Sequence, residues 1–202
     1  MILLLAILAG LAAGLLRAWA GKRKLHIPHL RWLWLVLFAY LPQFFAFQYS
    51  RTRTSLPIAW IPIILIASQI ILLIFAIINW RQAGFWLLGI GLALNLTVIS
   101  WNNGWMPISP ETVAHVAPDA PPGSWEIGKR LGSTKDKVIS TSQTNLPILS
   151  DRLVFPGWVP YQVAFSIGDI FIALGAFWFF WSMGGSKDYS KTERIVDNAS
   201  NI

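Results

Sequence analysis

Residues 55–80 read SLPIAWIPIILIASQIILLIFAIINW, and no Asp, Glu, Lys or Arg interrupts them. A hydrocarbon layer about 30 Å thick is crossed by roughly 20 apolar residues in helix, so this run is long enough to span a bilayer. Four more apolar runs lie around it. Residues 2–20 carry no charge before Arg17, and residues 32–48 carry none. Residues 84–102 are apolar apart from Asn95, Thr97 and Ser100 within the run, and residues 161–183 hold a single charge, Asp169. The pattern predicts an all-α membrane protein, with five transmembrane helices in a bundle over residues 1–185. Residues 103–160 are then one long extracytoplasmic loop containing short helices, and residues 186–202 a polar cytoplasmic tail.

Composition agrees. Hydrophobic residues make up 55% of the 202-residue chain, charged residues 12%, and the mean hydropathy is +0.55. Soluble domains carry about 25% charged residues, so disorder, an ordinary water-soluble enzyme and a primarily nucleic-acid-binding role are excluded. The absence of cysteine removes disulfides, thiolate metal sites and a cysteine nucleophile together. No internal repeat is visible, which disfavours an inverted-repeat transporter within one chain. Ala18-Trp19-Ala20 matches a small-x-small cleavage site, but the basic residues follow the first apolar run instead of preceding it. A signal peptide has the opposite charge order, so the first run reads as a retained helix.

Orientation follows from Lys and Arg bias. Arg17, Lys22, Arg23, Lys24 and Arg31 crowd the first connection and place it in the cytoplasm. The N-terminus is then outside, and the C-terminus is inside with Lys187, Lys191 and Arg194. The net charge of +7 and the pI near 10.1 are largely a consequence of this topology. Lys22-Arg23-Lys24 accordingly reads as an anchor near anionic lipid heads and not as a nucleic-acid site. Trp19, Trp32, Trp34, Trp80, Trp101, Trp105, Trp158 and Trp181 fall near run ends, where amphipathic rings favour the headgroup layer.

Helices in lipid associate through small residues that let backbones approach. Gly10 and Gly14, Ala164 with Gly168 and Gly175, and Gly89 with Gly91 predict that the first, fourth and fifth helices meet closely. Pro57 and Pro62 bend or start the third.

Asp169 is the sharpest chemical feature. A helix beginning at Tyr161 puts it about 12 Å below the outer surface, and Asn95 lies at about the same depth. Gln43, Ser100, Asn102, Asn103 and Ser166 fall in the same outer half, so one polar cluster around Asp169 is expected. An intramembrane carboxylate is costly without a partner or a water-filled cavity. It therefore serves either a proton, ion or substrate site or a buried network that ties helices together. Arg51, Arg53 or Arg152 would reach it from the outer edge.

Within residues 103–160, Ser109-Pro110-Glu111 looks like a helix start running toward Val116. A second short helix is expected in residues 125–133, a polar loop in residues 132–144, and a segment packed on the bundle in residues 145–156. Glu111 and His115 share a helical face, but a zinc site needs three or four ligands, so no metal and no cofactor is expected. No GxSxG, P-loop or GxGxxG pattern occurs.

The string Asn103-Gly104-Trp105-Met106-Pro107-Ile108-Ser109, followed by Thr144, Leu146, Leu149 and Asp151, then Pro156, then Ser166-Ile167-Gly168-Asp169, resembles a family of small prokaryotic multi-pass proteins bearing a domain of unknown function, number 5317. The likeness spans most of residues 1–185 and departs in residues 132–143. It implies a similar layout of apolar spans and one long loop, with no established activity. It singles out Asn103, Pro107, Asp151 and Asp169 as the positions to test first.

Three functional classes follow. The leading one is an integral protein of a bacterial cytoplasmic membrane, a component or scaffold of a complex, whose partners are the lipid bilayer and another protein or a second copy of itself, with no nucleic acid. The second is a small transporter or channel-like protein using Asp169 with Asn95. The third is a membrane enzyme with an outer-face site built from Asp151, Asp169, Asn103 and His115.

Overall fold

The computed structural model describes residues 2–49, 55–121, 123–159 and 161–185. The tail expected at 186–202, like Arg51 and Arg53, lies outside the described residues. The chain is mostly helical. Six α-helices are formed among the described residues: α1 Ile2–Ala20, α2 Trp34–Phe47, α3 Trp60–Ile78, α4 Phe85–Trp101, α5 Pro110–Val116 and α6 Ile167–Ser182. Of these, α1 and α3 are long and apolar enough to cross a bilayer by length and composition. The apolar helices α2, α4 and α6 are shorter, at 14, 17 and 16 residues.

Two helices start later than their apolar runs for a local cause. Pro57 precedes α3, and Pro62 sits in its first turn, where backbone N–H groups have no intrahelical acceptor to lose. Ser166 caps α6, so residues 161–165 stay outside it. Pro42 lies inside α2 without ending it.

The large helices pack in the order α1, α6, α4, α3, α2, with α6 between α1 and α4. Glycine makes those two contacts possible. A β-carbon on Gly10 would come within 2.7 Å of the Phe177 carbonyl oxygen, and one on Gly14 within 2.5 Å of that of Phe180. Between α4 and α6, Gly84 lies on the Gly175 backbone and Gly91 on the Gly168 carbonyl. These pairs sit about two turns apart on antiparallel helices, forming a seam of backbone against backbone. Below it, Phe75, Phe85 and Phe179 meet edge to face at 5.3–5.5 Å. Arg17 stacks over Trp181 at 4.1 Å, closing the far end of the α1–α6 pair.

The all-α expectation is corrected by the segment between α4 and α6, where four short strands form among the described residues. β1 Met106–Ile108 pairs in parallel with β2 Asp136–Val138, and β3 Leu153–Val154 pairs antiparallel with β4 Ala164–Phe165. Asp151 extends the first ladder, bridging Ile108 and donating its N–H to the Pro107 carbonyl at 3.1 Å. The expected helix at 125–133 is a set of turns, and the expected loop at 132–144 contains β2. Too few residues alternate in a three-residue strand for its period to be read against a Ser/Thr-rich background. The short helix after Ser109 is present as expected, with the Ser109 hydroxyl accepting the Thr112 N–H at 3.2 Å.

The segment forms a cap with its own small core of Ile108, Val113 and Val138. Its first residues continue the bundle core, where Trp105 and Met106 pack with Ile61, Leu65, Val98 and Ile99. The entry turn explains the Asn103-Gly104 pair. Asn103 adopts φ 55 and the Gly104 N–H returns to the Ile99 carbonyl at 2.8 Å, a Schellman closure with Asn in the left-handed position. Gly104 (φ 82) lies directly on Pro62, leaving no space for a side chain. Asn102 then clasps the backbone of Asn145, giving its amide N–H to the Asn145 carbonyl at 2.9 Å and accepting the Asn145 N–H at 3.0 Å. Asn79, at the opposite end of the helices, clasps the Arg31 backbone in the same way, at 2.8 and 3.0 Å.

Candidate functional site

The start of α6 builds the first half of the site. The Ser166 hydroxyl accepts the Asp169 N–H at 3.0 Å, and the Asp169 carboxylate accepts the Ser166 N–H at 3.1 Å. This is a reciprocal capping box. The same hydroxyl donates to the Asn95 side-chain oxygen at 2.9 Å, which turns the Asn95 amide so that its N–H donates to the other Asp169 oxygen at 2.9 Å. Gly168 permits this approach, because any β-carbon there would overlap the Asn95 side chain. Asn95 and Ser166 are fully enclosed, at 4% and 0% exposure. Asp169 therefore belongs to the first turn of its helix, not to a position two turns down it.

The second half comes from the cap. Parallel pairing puts Asp136 beside Met106 and Asp151 beside Ile108, on opposite sides of β1, so one buried face of the sheet carries two acids. Lys135 answers them, with its ammonium 2.8 Å from Asp151 and 3.9 Å from Asp136. Burial lowers the Lys135 pKa, but Asp151, Asp136 and Asp169 together outweigh it and hold the lysine above its usual range. Burial pushes the Asp151 carboxyl well above the usual carboxylate range; Lys135 opposes the rise, and Asp136 and Asp169 add to it. The pair titrates as a unit, with its ammonium protonated and its carboxylate unusually ready to take a proton. One oxygen each of Asp136 and Asp151 is buried with no hydrogen-bond partner.

Chemically, this is one ammonium within 4 Å of two carboxylates, with the charge of Asp169 acting on it from further off. Lys135 stands where a bound cation would, and among the described residues no group of three metal-ligating side chains converges. The arrangement can hold a proton and can join cap to bundle through charge.

The structure brings Asp169, Asn95 and Ser166 into direct contact, and Lys135 links Asp151 to them electrostatically. The other expected members lie elsewhere. Ser100 is exposed on α4, and Asn103 is exposed in the Schellman turn. Gln43 is half-buried on α2, which packs on α3. Asn102 is engaged with Asn145. Arg152 is exposed at the lip of a separate polar pocket with Ser109, Thr112 and Thr144. Glu111 and His115 are both exposed on α5. Lys135 and Asp136 escaped the sequence reading because only the β1–β2 register carries them to Asp151. The one available signal was the charged triplet Lys135-Asp136-Lys137 within the Ser/Thr-rich stretch.

Neither the curated proteins nor the solved structures contain a match to this chain. A family match does exist and covers residues 28–181, a range that includes α2 to α4, the whole cap, Asn95, Lys135, Asp151 and nearly all of α6. The protein accordingly belongs to DUF5317, a family of unknown function.

Proposed function

We propose that this protein is a multi-pass protein of a bacterial cytoplasmic membrane, with five spans, an outer cap, the N-terminus outside and the C-terminus in the cytoplasm. In this reading it acts as a component or scaffold of a membrane complex. The apolar outward faces support the membrane assignment. Leu4, Leu5, Leu8, Leu15 and Leu16 of α1, Leu37, Phe38 and Leu41 of α2, and Ile63 and Ile77 of α3 are all exposed. Faces this extensive need lipid or another protein against them.

One observation carries the scaffold role: both carboxylate oxygens of Asp169 are hydrogen-bonded within the chain, to Asn95 and to the Ser166 backbone. A carboxylate so engaged, with Lys135 compensating its charge, is a tie between helices and cap. A transport site would keep part of that capacity for its cargo. The membrane enzyme reading is weakened by the exposed, separate positions of Asn103 and His115. Purification in mild detergent tests the role. A stoichiometric partner or homo-oligomer is expected, and a strictly monomeric, partner-free species would count against it.

The transporter reading retains one supporting observation, the buried oxygens of Asp136 and Asp151 that accept no hydrogen bond among the described residues. An Asp151→Asn variant that abolishes a pH-dependent flux in reconstituted vesicles would favour it.

A further inference from the structure

A pocket of about 320 Å³ opens at the end of the helices opposite the cap, where the α1–α2 connection meets the α3–α4 turn. That volume lies in the usual range of small-molecule sites. His29 and Arg31 line it from the first connection, and Trp80, Arg81 and Gln82 from the turn. Hydrogen bonds pin these two segments to each other. Buried Asn79 accepts the Arg31 N–H at 2.8 Å and donates to the Arg31 carbonyl at 3.0 Å, while the Gln82 amide donates to the His29 carbonyl at 3.4 Å. The clasp engages only the backbone of Arg31. Two arginines far apart in sequence are thereby set on one pocket with their guanidinium groups outside the bonds that hold it together.

Charge at this end has one sign among the described residues. Glu111, Asp119, Glu126, Asp136 and Asp151 belong to the cap, and Asp169 to the first turn of α6 beside it. No ion pair among the described residues includes Arg31 or Arg81. Arg81 lies over the Trp80 ring at 5.6 Å, a contact that orients its guanidinium against a neutral group. The carbonyls that end α3 are occupied from within: Phe75 accepts from Asn79, and Ile77 from the Trp80 N–H. An apolar strip leads to the same pocket. Ile74 and Ile77 share one face of α3, Trp80 follows at its end, and all three are exposed.

We infer that this pocket binds the headgroup of an anionic phospholipid, with its phosphate on Arg31 and Arg81, His29 as a further donor, and an acyl chain along Trp80, Ile77 and Ile74. The planar fork of arginine matches a phosphate. A zwitterionic headgroup would bring an ammonium for which the pocket lining has no acid. The choice of a lipid over a free anion comes from the apolar strip, which a small hydrophilic anion leaves bare. The proposal rests on the membrane reading above, in which α3 leaves the bilayer at this level on the cytoplasmic side, where anionic lipids meet basic segments.

The test is a binding titration, read by thermal shift, of the purified full-length protein with short-chain phosphatidylglycerol, short-chain phosphatidylcholine and glycerol phosphate. Phosphatidylglycerol should raise the unfolding midpoint and bind about tenfold more tightly than the other two. An Arg31→Gln/Arg81→Gln double variant should bind it about tenfold more weakly. Its midpoint without lipid should be unchanged, because the Asn79 clasp uses the Arg31 backbone alone. Single Arg31→Gln and Arg81→Gln variants should each lose part of the affinity, and they serve the same comparison if the double variant fails to fold. A Lys22→Gln/Lys24→Gln variant removes equal charge outside the pocket and should bind like wild type. Equal binding of the two lipids, glycerol phosphate binding as tightly as the lipid, or equal losses in the arginine and lysine variants would overturn the proposal. Alkaline carbonate extraction of native membranes judges the membrane reading separately. Release of the protein would overturn both; retention without a preference for phosphatidylglycerol would overturn this proposal alone.

Discussion

Asn95 and Asp169, on two different helices, are joined by a 2.9 Å hydrogen bond whose donor is oriented by the Ser166 hydroxyl. The bond fastens the middle of α4 to the first turn of α6, at the level where the cap's Lys135 adds its charge. Asn95→Ala would leave the enclosed Ser166 hydroxyl proton without its acceptor and one Asp169 oxygen without its donor, at a cost of about 1–3 kcal/mol. Asn95→Asp would be worse near neutral pH, placing a second carboxylate against the first. Thermal unfolding in detergent should order stability as wild type, Asn95→Ala, Asn95→Asp, and equal midpoints for all three would contradict the assignment.

The glycine seam makes a positional prediction. Gly168→Ala drives a methyl group into the Asn95 side chain and within 2.9 Å of the Gly91 carbonyl. Gly89→Ala, on the same α4 helix, meets only the Ala76 methyl at 3.9 Å. The first should destabilise by about 1–3 kcal/mol through overpacking, and the second should be neutral or slightly stabilising. Chemical denaturation of both variants checks the contrast.

The ionic cluster sets a pH dependence with a definite sign. The Asp151 carboxyl has its pKa raised in the folded state, so its contribution to stability is present at low pH and is lost as pH rises through the raised value. Lys135, also raised, contributes fully up to the ordinary lysine range and loses its contribution only in strong alkali. Asp151→Asn should therefore flatten the fall in cap stability on the alkaline side of the carboxylate range. Lys135→Met should cost about 2–4 kcal/mol near pH 8, below the figure for a fully buried pair because the Lys135 side chain is 36% exposed. It should cost less at acidic pH, because the raised Asp151 carboxyl takes a proton before ordinary carboxylates do. Unfolding curves at the two pH values give the comparison, and an Asp151→Asn profile identical to wild type would refute the assignment.

Asn102 holds the cap at its other side. Asn102→Ala removes its clasp on Asn145 and its bond to the Val98 carbonyl. Limited proteolysis should then cut within residues 140–150 at least several-fold faster, while the helices stay intact. Unchanged cleavage would show that the clasp does not hold the cap.

Much of the bundle was legible because hydropathy over many residues is a strong signal. The runs at 2–20 and 84–102 lie within about a residue of α1 and α4, and Gly10, Gly14, Gly91, Gly168 and Gly175 do mark close approach, whereas Gly89 meets only a methyl group at 3.9 Å and Ala164 lies in β4. Boundaries governed by single residues were less legible. Ser166 starts α6 six residues after Tyr161, and that shift moves Asp169 from mid-helix to an N-terminal cap. The Asn95–Asp169–Ser166 trio could be read because antiparallel neighbours at matched depth must meet. Lys135 could not be read, because its place depends on a pairing between two three-residue strands separated by a long irregular segment. Asn103 looked like a site residue and proved to be a turn residue, since the left-handed conformation and the polar site both favour Asn.

Single-cysteine labelling measures the membrane topology most directly, because the natural chain has no cysteine to give background. Ser142→Cys in the cap should react with a membrane-impermeant maleimide on intact cells. Lys24→Cys and Gln82→Cys, in the first and third connections, should react only after the membrane is opened. Equal labelling of Ser142→Cys and Lys24→Cys on intact cells would place both on one side and contradict the five-span reading.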